Sequence, residues 1–81
     1  MTWIERDNAL HRELKTRDFL TAFEMAKALV EPAERMNHHP DVEFGWGYLR
    51  IKLTTHDAGG VTAKDRQLAA LIDEALAPFC G

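Results

Sequence analysis

Three of this chain's four histidines fall in two short segments, Asn37-His38-His39-Pro40 and Thr55-His56. Imidazole is the side chain whose unperturbed titration lies closest to neutrality, so each can donate or accept a proton near pH 7. The residues between the segments alternate apolar and polar on either side of Gly47, which predicts a β-hairpin. A hairpin brings its ends together, so His38, His39 and His56 are expected to converge on one patch of surface. Such a trio suits acid–base chemistry or a metal ion. The metal reading is the weaker: neighbouring residues seldom aim both rings at one ion, and the chain has neither a His-Glu-x-x-His run nor a cysteine pair. No metal is expected at the site.

Two carboxylates, Glu34 and Asp65, each carry more than one reading. Glu34 precedes His38 by four residues, one helical turn along the same face. It is either a solvated carboxylate paired with Arg35 or Arg50, or a group that orients a histidine or binds a substrate N–H. Asp65 closes Thr62-Ala63-Lys64-Asp65, which resembles a capping box with Asp in place of the usual Glu, and capping alone would account for it. His11 is far from the cluster and reads as a surface strand residue. Phe44 and Trp46 read as core or interface aromatics rather than a stacking platform. Gly59-Gly60 has no phosphate-loop spacing around it and reads as a turn into the last helix.

The elements that must hold these groups follow from hydrophobic period. Residues 3–6 and 9–14 flank Asp7-Asn8, a pair that tolerates the positive φ of a tight turn, and predict two short strands. From Asp18 onward, Phe19, Ala22, Phe23, Ala26, Leu29, Val30 and Ala33 share one helical face, predicting a single helix as far as Met36. Asp18 suits its start, and Pro40 forbids its continuation past the histidines. Pro32 is expected to kink it just ahead of Glu34 and His38. Val42, Phe44 and Trp46, then Leu49, Ile51 and Leu53, give two strands with period two. Leu68, Leu71, Ile72, Ala75, Leu76 and Phe79 form a second helical stripe. The order is ββαββα, an α+β fold: a four-stranded antiparallel sheet with the helices packed on one face.

Composition bounds the rest. The 81 residues make a single domain, 1–81, with 46% hydrophobic and 28% charged residues, ordinary for a globular chain. A domain this small buries only about 60–65% of its unfolded surface, so self-association is the expected support. Cys80 is the sole cysteine, which excludes an internal disulfide and suits a reducing compartment, so a cytoplasmic location is expected. The stretch from Met1 to Asp7 does not read as a signal peptide, and no apolar run approaches the roughly 20 residues of a membrane span. Net charge is −3 with the basic residues scattered among acidic ones, which disfavours direct nucleic-acid binding.

Together these residues resemble the pterin-4a-carbinolamine dehydratase family. The likeness runs from Trp3 through Asp18-Phe19 and Ala33-Glu34 to the final helix. It is strongest at Asn37-His38-His39-Pro40 and at Leu53-Thr54-Thr55-His56-Asp57-Ala58-Gly59-Gly60-Val61-Thr62, followed by Asp65. The resemblance implies a four-stranded antiparallel sheet covered by helices, and some members carry an extra N-terminal helix that this chain is expected to lack. It implies dehydration of a 4a-hydroxytetrahydropterin to the quinonoid dihydropterin, the step that recycles the cofactor after aromatic amino-acid hydroxylation. It places His38, His39 and His56 around the pterin, with Glu34 and Asp65 in or near the pocket. It also places Asn37, Pro40, Thr54, Thr55 and Asp57 along the pterin ring edge, and it implies a homodimer or homotetramer. His38 or His56 would protonate the leaving hydroxyl, and His39 would hold the substrate or act as base. No cofactor is required. Val42 stands where several relatives carry an aromatic residue, implying a less enclosing wall. The competing readings are a non-catalytic interaction protein that stabilises a partner's dimer, and a pterin-binding protein without turnover.

Overall fold

The computed structural model describes residues 3–80; Met1, Thr2, Gly81 and the side chain of Cys80, on which the signal-peptide and sole-cysteine readings partly rest, lie outside the described residues. Strand β1 (Ile4–Arg6) turns into β2 (Ala9–Lys15) through Asp7 and Asn8, whose φ values of 53° and 61° are those of a hairpin turn with two left-handed residues. The second hairpin joins β3 (Asp41–Gly45) to β4 (Tyr48–Leu53) across Trp46-Gly47, with Gly47 at φ 87°. The sheet order is β1-β2-β4-β3 and every pairing is antiparallel.

Register decides what each face carries. Leu10 pairs with Leu53, Arg12 with Ile51, Leu14 with Leu49, and Val42 and Phe44 lie beyond them opposite Ile51 and Leu49. This face meets the helices, and Leu10, Leu14, Leu49, Ile51 and Leu53 form one core with Met25, Leu29, Leu68, Ile72 and Leu76. Truncating any of these leucines to alanine costs about 2–5 kcal/mol. The opposite face carries His11, Glu13, Lys15, Arg50, Lys52, Asp41 and Glu43, with Arg50 bridging Glu13 and Glu43.

The expected single helix over residues 18–36 is instead two: α1 (Phe19–Ala28) and α2 (Val30–Met36), separated at Leu29. Asp18 starts α1 by accepting the Thr21 N–H at 2.8 Å. Pro32 has no N–H to give to the Ala28 carbonyl. The chain therefore restarts upstream of it, with Ala33 N–H bonded to Leu29 O at 3.2 Å, and Pro32 falls in the first turn of α2. There a missing donor costs nothing. The break thus precedes Pro32 and leaves Glu34 and the approach to His38 on a short, regular helix.

The buried face of the helix is also narrower than the apolar period predicts. Ala22, Met25, Leu29 and Ala33 are buried, while Phe19, Phe23 and Val30 are exposed. Helix α1 lies against the edge strand β3 as well as β4, so one shoulder overhangs the sheet's rim. On that shoulder Phe19 and Phe23 pack on Phe44, with ring centroids 5.5 and 6.1 Å apart. Helix α3 (Ala63–Cys80) seats Leu68, Ile72 and Leu76 in the core and leaves Phe79 exposed.

Candidate active site

The site is assembled where α2 ends and α3 begins. Asn37 adopts the left-handed conformation (φ 51°, ψ 42°), and its N–H reaches Glu34 O at 3.2 Å while His38 N–H reaches Ala33 O at 3.1 Å. This pair of reversed bonds closes the helix, and asparagine is among the few residues that tolerate the backbone it needs. Asn37 makes this turn through its backbone. It turns His38 out of the helix and toward α3.

His38 meets Asp65 there. Its Nε2–H donates to Asp65 Oδ1 at 2.6 Å, with the His38 side chain 13% exposed and Asp65 at 0%. The other carboxylate oxygen accepts the Thr62 N–H at 2.8 Å and the Thr55 hydroxyl at 2.7 Å. The capping bond expected of Asp65 is present, and it accounts for only part of what this carboxylate does. Burial is the largest single influence on its proton affinity and pushes the pKa up. The hydrogen bonds from His38, Thr55 and the Thr62 amide, with the His38 charge, outweigh burial and hold Asp65 below the ordinary carboxylate range. An anionic Asp65 keeps the His38 proton on Nε2, so Nδ1 is the nitrogen left free for chemistry.

Thr55 is fixed by its own backbone: its N–H donates to Gly60 O at 3.0 Å and its carbonyl accepts from Gly60 N at 3.3 Å. The loop between them is the 3₁₀ turn His56–Ala58, closed by Gly59 at φ 75°. His56 and Asp57 are exposed on that turn. The Thr54 hydroxyl donates to Asn8 O at 2.8 Å and ties the turn between β1 and β2 to this loop.

Glu34 does not pair with His38, Arg35 or Arg50. Arg35 is held by Glu31 at 2.6 Å and Arg50 by Glu13 and Glu43. Glu34 Oε2 instead accepts from His39 Nε2 at 2.6 Å, with 68% and 53% of the two side chains exposed. The left-handed turn at Asn37 explains the change, because it takes His38 off the helical face that Glu34 occupies and returns His39 to it. Glu34, His39 and Pro40 line a groove of about 180 Å³ with Val30, Ala33 and Val42. His11 lies apart, its ring bonded to Arg6 O at 3.1 Å.

One network escaped the sequence reading. Arg12 is buried on the helix-facing side of β2 and pairs with Asp73 of α3, which also accepts the Trp3 indole N–H at 2.9 Å. An arginine occupying an inward slot of the alternation 10, 12, 14 was the available signal. The bond from the Thr55 hydroxyl that ties Asp65 to the neighbouring loop was likewise invisible, because it crosses between elements. Among the described residues, no cluster of three or more His, Cys, Asp or Glu is arranged to hold a metal ion. No helix among them is long and apolar enough to cross a membrane.

Comparison with known proteins matches residues 1–75 to the profile of a family described as pterin 4 alpha carbinolamine dehydratase. A provisionally named pterin-4-alpha-carbinolamine dehydratase of Picosynechococcus is 44% identical over 72 residues, covering 89% of this chain and 78% of that protein. One from Solibacter usitatus, also provisionally named, is 51% identical over 71 residues, covering 88% and 75%. Among solved structures, a transcriptional coactivator/pterin dehydratase from Brucella melitensis is similar with a TM-score of 0.81 and 31% identity, covering 90% of this chain and 80% of that one. A pterin dehydratase-like RuBisCO assembly factor of the α-carboxysome shares the fold alone, at 22% identity and a TM-score of 0.75 over 93% of this chain and 89% of that one.

Proposed function

This chain belongs to the pterin-4-alpha-carbinolamine dehydratase family, and from that premise we propose that it removes water from a 4a-hydroxytetrahydropterin by histidine acid–base catalysis. The observation that carries the reading is the buried His38–Asp65 pair. In the reaction the C4a–O bond breaks, a C4a=N5 double bond forms, the hydroxyl leaves with an added proton as water, and N5 sheds its own proton. One acid and one base suffice. His38, protonated and held against Asp65, gives its Nδ1 proton to the departing hydroxyl. The neutral ring of His39, oriented by Glu34, or that of His56 takes the N5 proton. Each positioned transfer contributes about 10²–10⁴-fold.

The experiment is to generate a 4a-hydroxytetrahydropterin in situ and follow its loss of water with and without the protein, beside His38→Ala and His56→Ala. A large acceleration that collapses in His38→Ala supports the reading. A folded protein that gives no acceleration defeats it. Partner binding would then lead, a role for which the Brucella relative, a transcriptional coactivator/pterin dehydratase, is the precedent.

Self-association is part of the proposal. Phe19 and Phe23 of α1, Val30 of α2, Val42 of β3 and Trp46 of the turn that follows it are all exposed, and a cluster of exposed large apolar side chains marks an interaction surface. A second copy of the chain is the proposed cover. A monomeric mass by sedimentation at micromolar concentration would remove it.

A further inference from the structure

We infer that Thr55 is a positioning residue: with Thr62 it forms a two-hydroxyl brace that fixes the Asp65 carboxylate, and through it the ring of His38. The resemblance places Thr55 among substrate contacts, and the geometry assigns its side chain elsewhere. The Thr55 Oγ1 lies 2.7 Å from Asp65 Oδ2 and 2.8 Å from Thr62 Oγ1. A hydroxyl has one proton to give. Asp65 is held below the ordinary carboxylate range, so it accepts rather than donates, and the Thr55 proton points to it. The Thr55 oxygen must then accept from the Thr62 hydroxyl. The chain of donors runs Thr62 to Thr55 to Asp65, and Asp65 Oδ1 is left to His38 alone.

Each member is also held through backbone bonds. Thr55 is clamped by two backbone bonds to Gly60, Asp65 by the first turn of α3, and Thr62 by the Asp65–amide bond and its own carbonyl, which receives Asp65 N–H at 3.1 Å. The brace therefore joins the loop after β4 to the start of α3, and a shift of either would rotate the carboxylate away from His38. Losing the Thr55 hydroxyl would leave a buried anion short of one charge-assisted bond. Among titratable neighbours, His38 is the group bonded to Asp65. Lys64 and Arg66 flank it on exposed faces of α3, with Arg66 engaged by Glu5, and His56 follows Thr55 on the exposed turn.

This deepens the dehydratase reading, and its kinetic half rests on that reading; its titration half does not. The test compares the full chain with Thr55→Val, which keeps shape and removes the hydroxyl, and Thr55→Ser, which keeps the hydroxyl. Carboxyl ¹³C NMR follows Asp65, imidazole ¹⁵N NMR follows His38, and steady-state kinetics follow the pterin. In Thr55→Val the Asp65 titration is expected to move up by about one pH unit, and neutral His38 to lose its single Nε2–H tautomer. kcat is expected to fall roughly tenfold with KM little changed. Thr55→Ser should restore all three. An unchanged Asp65 titration in folded Thr55→Val overturns the inference, as does a rise in KM with kcat intact, which would make Thr55 a substrate contact. If Thr55→Val does not fold, Thr55→Ser decides: an Asp65 titration that moves despite the retained hydroxyl overturns it, and one that stays supports it. A protein without dehydratase activity in which Asp65 still moves as expected would defeat the proposed reaction and leave the brace standing.

Discussion

Two histidine–carboxylate pairs sit side by side in this molecule, and they have the same 2.6 Å contact. His38–Asp65 is buried and braced from two further directions; His39–Glu34 lies in water with more than half of each side chain exposed. Distance alone would rank them equal. The difference is what holds the carboxylate when the histidine is absent. Asp65 keeps the Thr62 amide and the Thr55 hydroxyl, so it is preorganised before any substrate arrives. Glu34 has solvent, and an exposed pair of this kind is worth about 0–1 kcal/mol. A fixed anion sets the tautomer of its histidine; a mobile one only favours it.

The comparison breaks most easily at Asp65. Asp65→Ala removes one side of a buried pair and strands the His38 ring, the Thr55 hydroxyl and the Thr62 amide. A loss of about 3–5 kcal/mol in chemical denaturation is expected. A cost under about 1 kcal/mol, the range of an exposed pair, would mean that water enters and the two pairs are alike after all. His38→Ala comes next: it leaves Asp65 with its two other donors, so the fold should tolerate it better, while dehydration of the pterin slows by about 10²–10⁴-fold. Equal slowing in His39→Ala would assign the N5 proton to His39, and a rate left intact would assign it to His56.

Acid should separate the pairs as well. The folded pKa of Asp65 is lowered, so folding favours its anion. The stability drawn from it is complete above about pH 4, the ordinary range of an unfolded carboxyl, and is lost as pH falls through the lowered value. Asp65→Asn should flatten that part of the acid unfolding curve. Asp18 and Glu31, lowered by the Thr21 backbone N–H and by Arg35 respectively, keep their share in the variant. An acid limb unchanged in Asp65→Asn would place the pH sensitivity in those surface groups.

What the sequence made legible was periodic or local. Alternation at 42–53 and the Asp7-Asn8 pair specified both hairpins, and the Thr62-to-Asp65 spacing located the start of α3. The break at Leu29 was not legible, because a proline at position 32 implies a kink in a continuing helix, whereas the restart three residues earlier lets it lie where no donor is needed. The exposure of Phe19, Phe23 and Val30 was not legible either, since period reports which residues share a face, and only the sheet's width decides how much of that face is covered. Within the site, the residue types were legible and their partners were not. A helical spacing of four joined Glu34 to His38 on paper, and one left-handed residue, Asn37, reassigned it to His39.

The smallest effect is expected at Glu34, and it tests the exposed half of the comparison directly. Glu34→Gln retains an acceptor for His39 Nε2 and removes the charge. Because both groups are solvated, stability should change by less than about 1 kcal/mol. Any effect on the dehydration rate should shrink in about 1 M salt, where the screening length falls to roughly 3 Å. The same salt should leave the contribution of Asp65 nearly untouched, since its contact with His38 is direct and buried. A Glu34→Gln variant that loses as much stability as Asp65→Ala, and does so regardless of salt, would mean that the surface pair is covered in solution. A second copy of the chain laid over the β3 edge and the groove beside His39 would supply that cover, and the contrast between the two pairs would then belong to the isolated chain and not to the assembly.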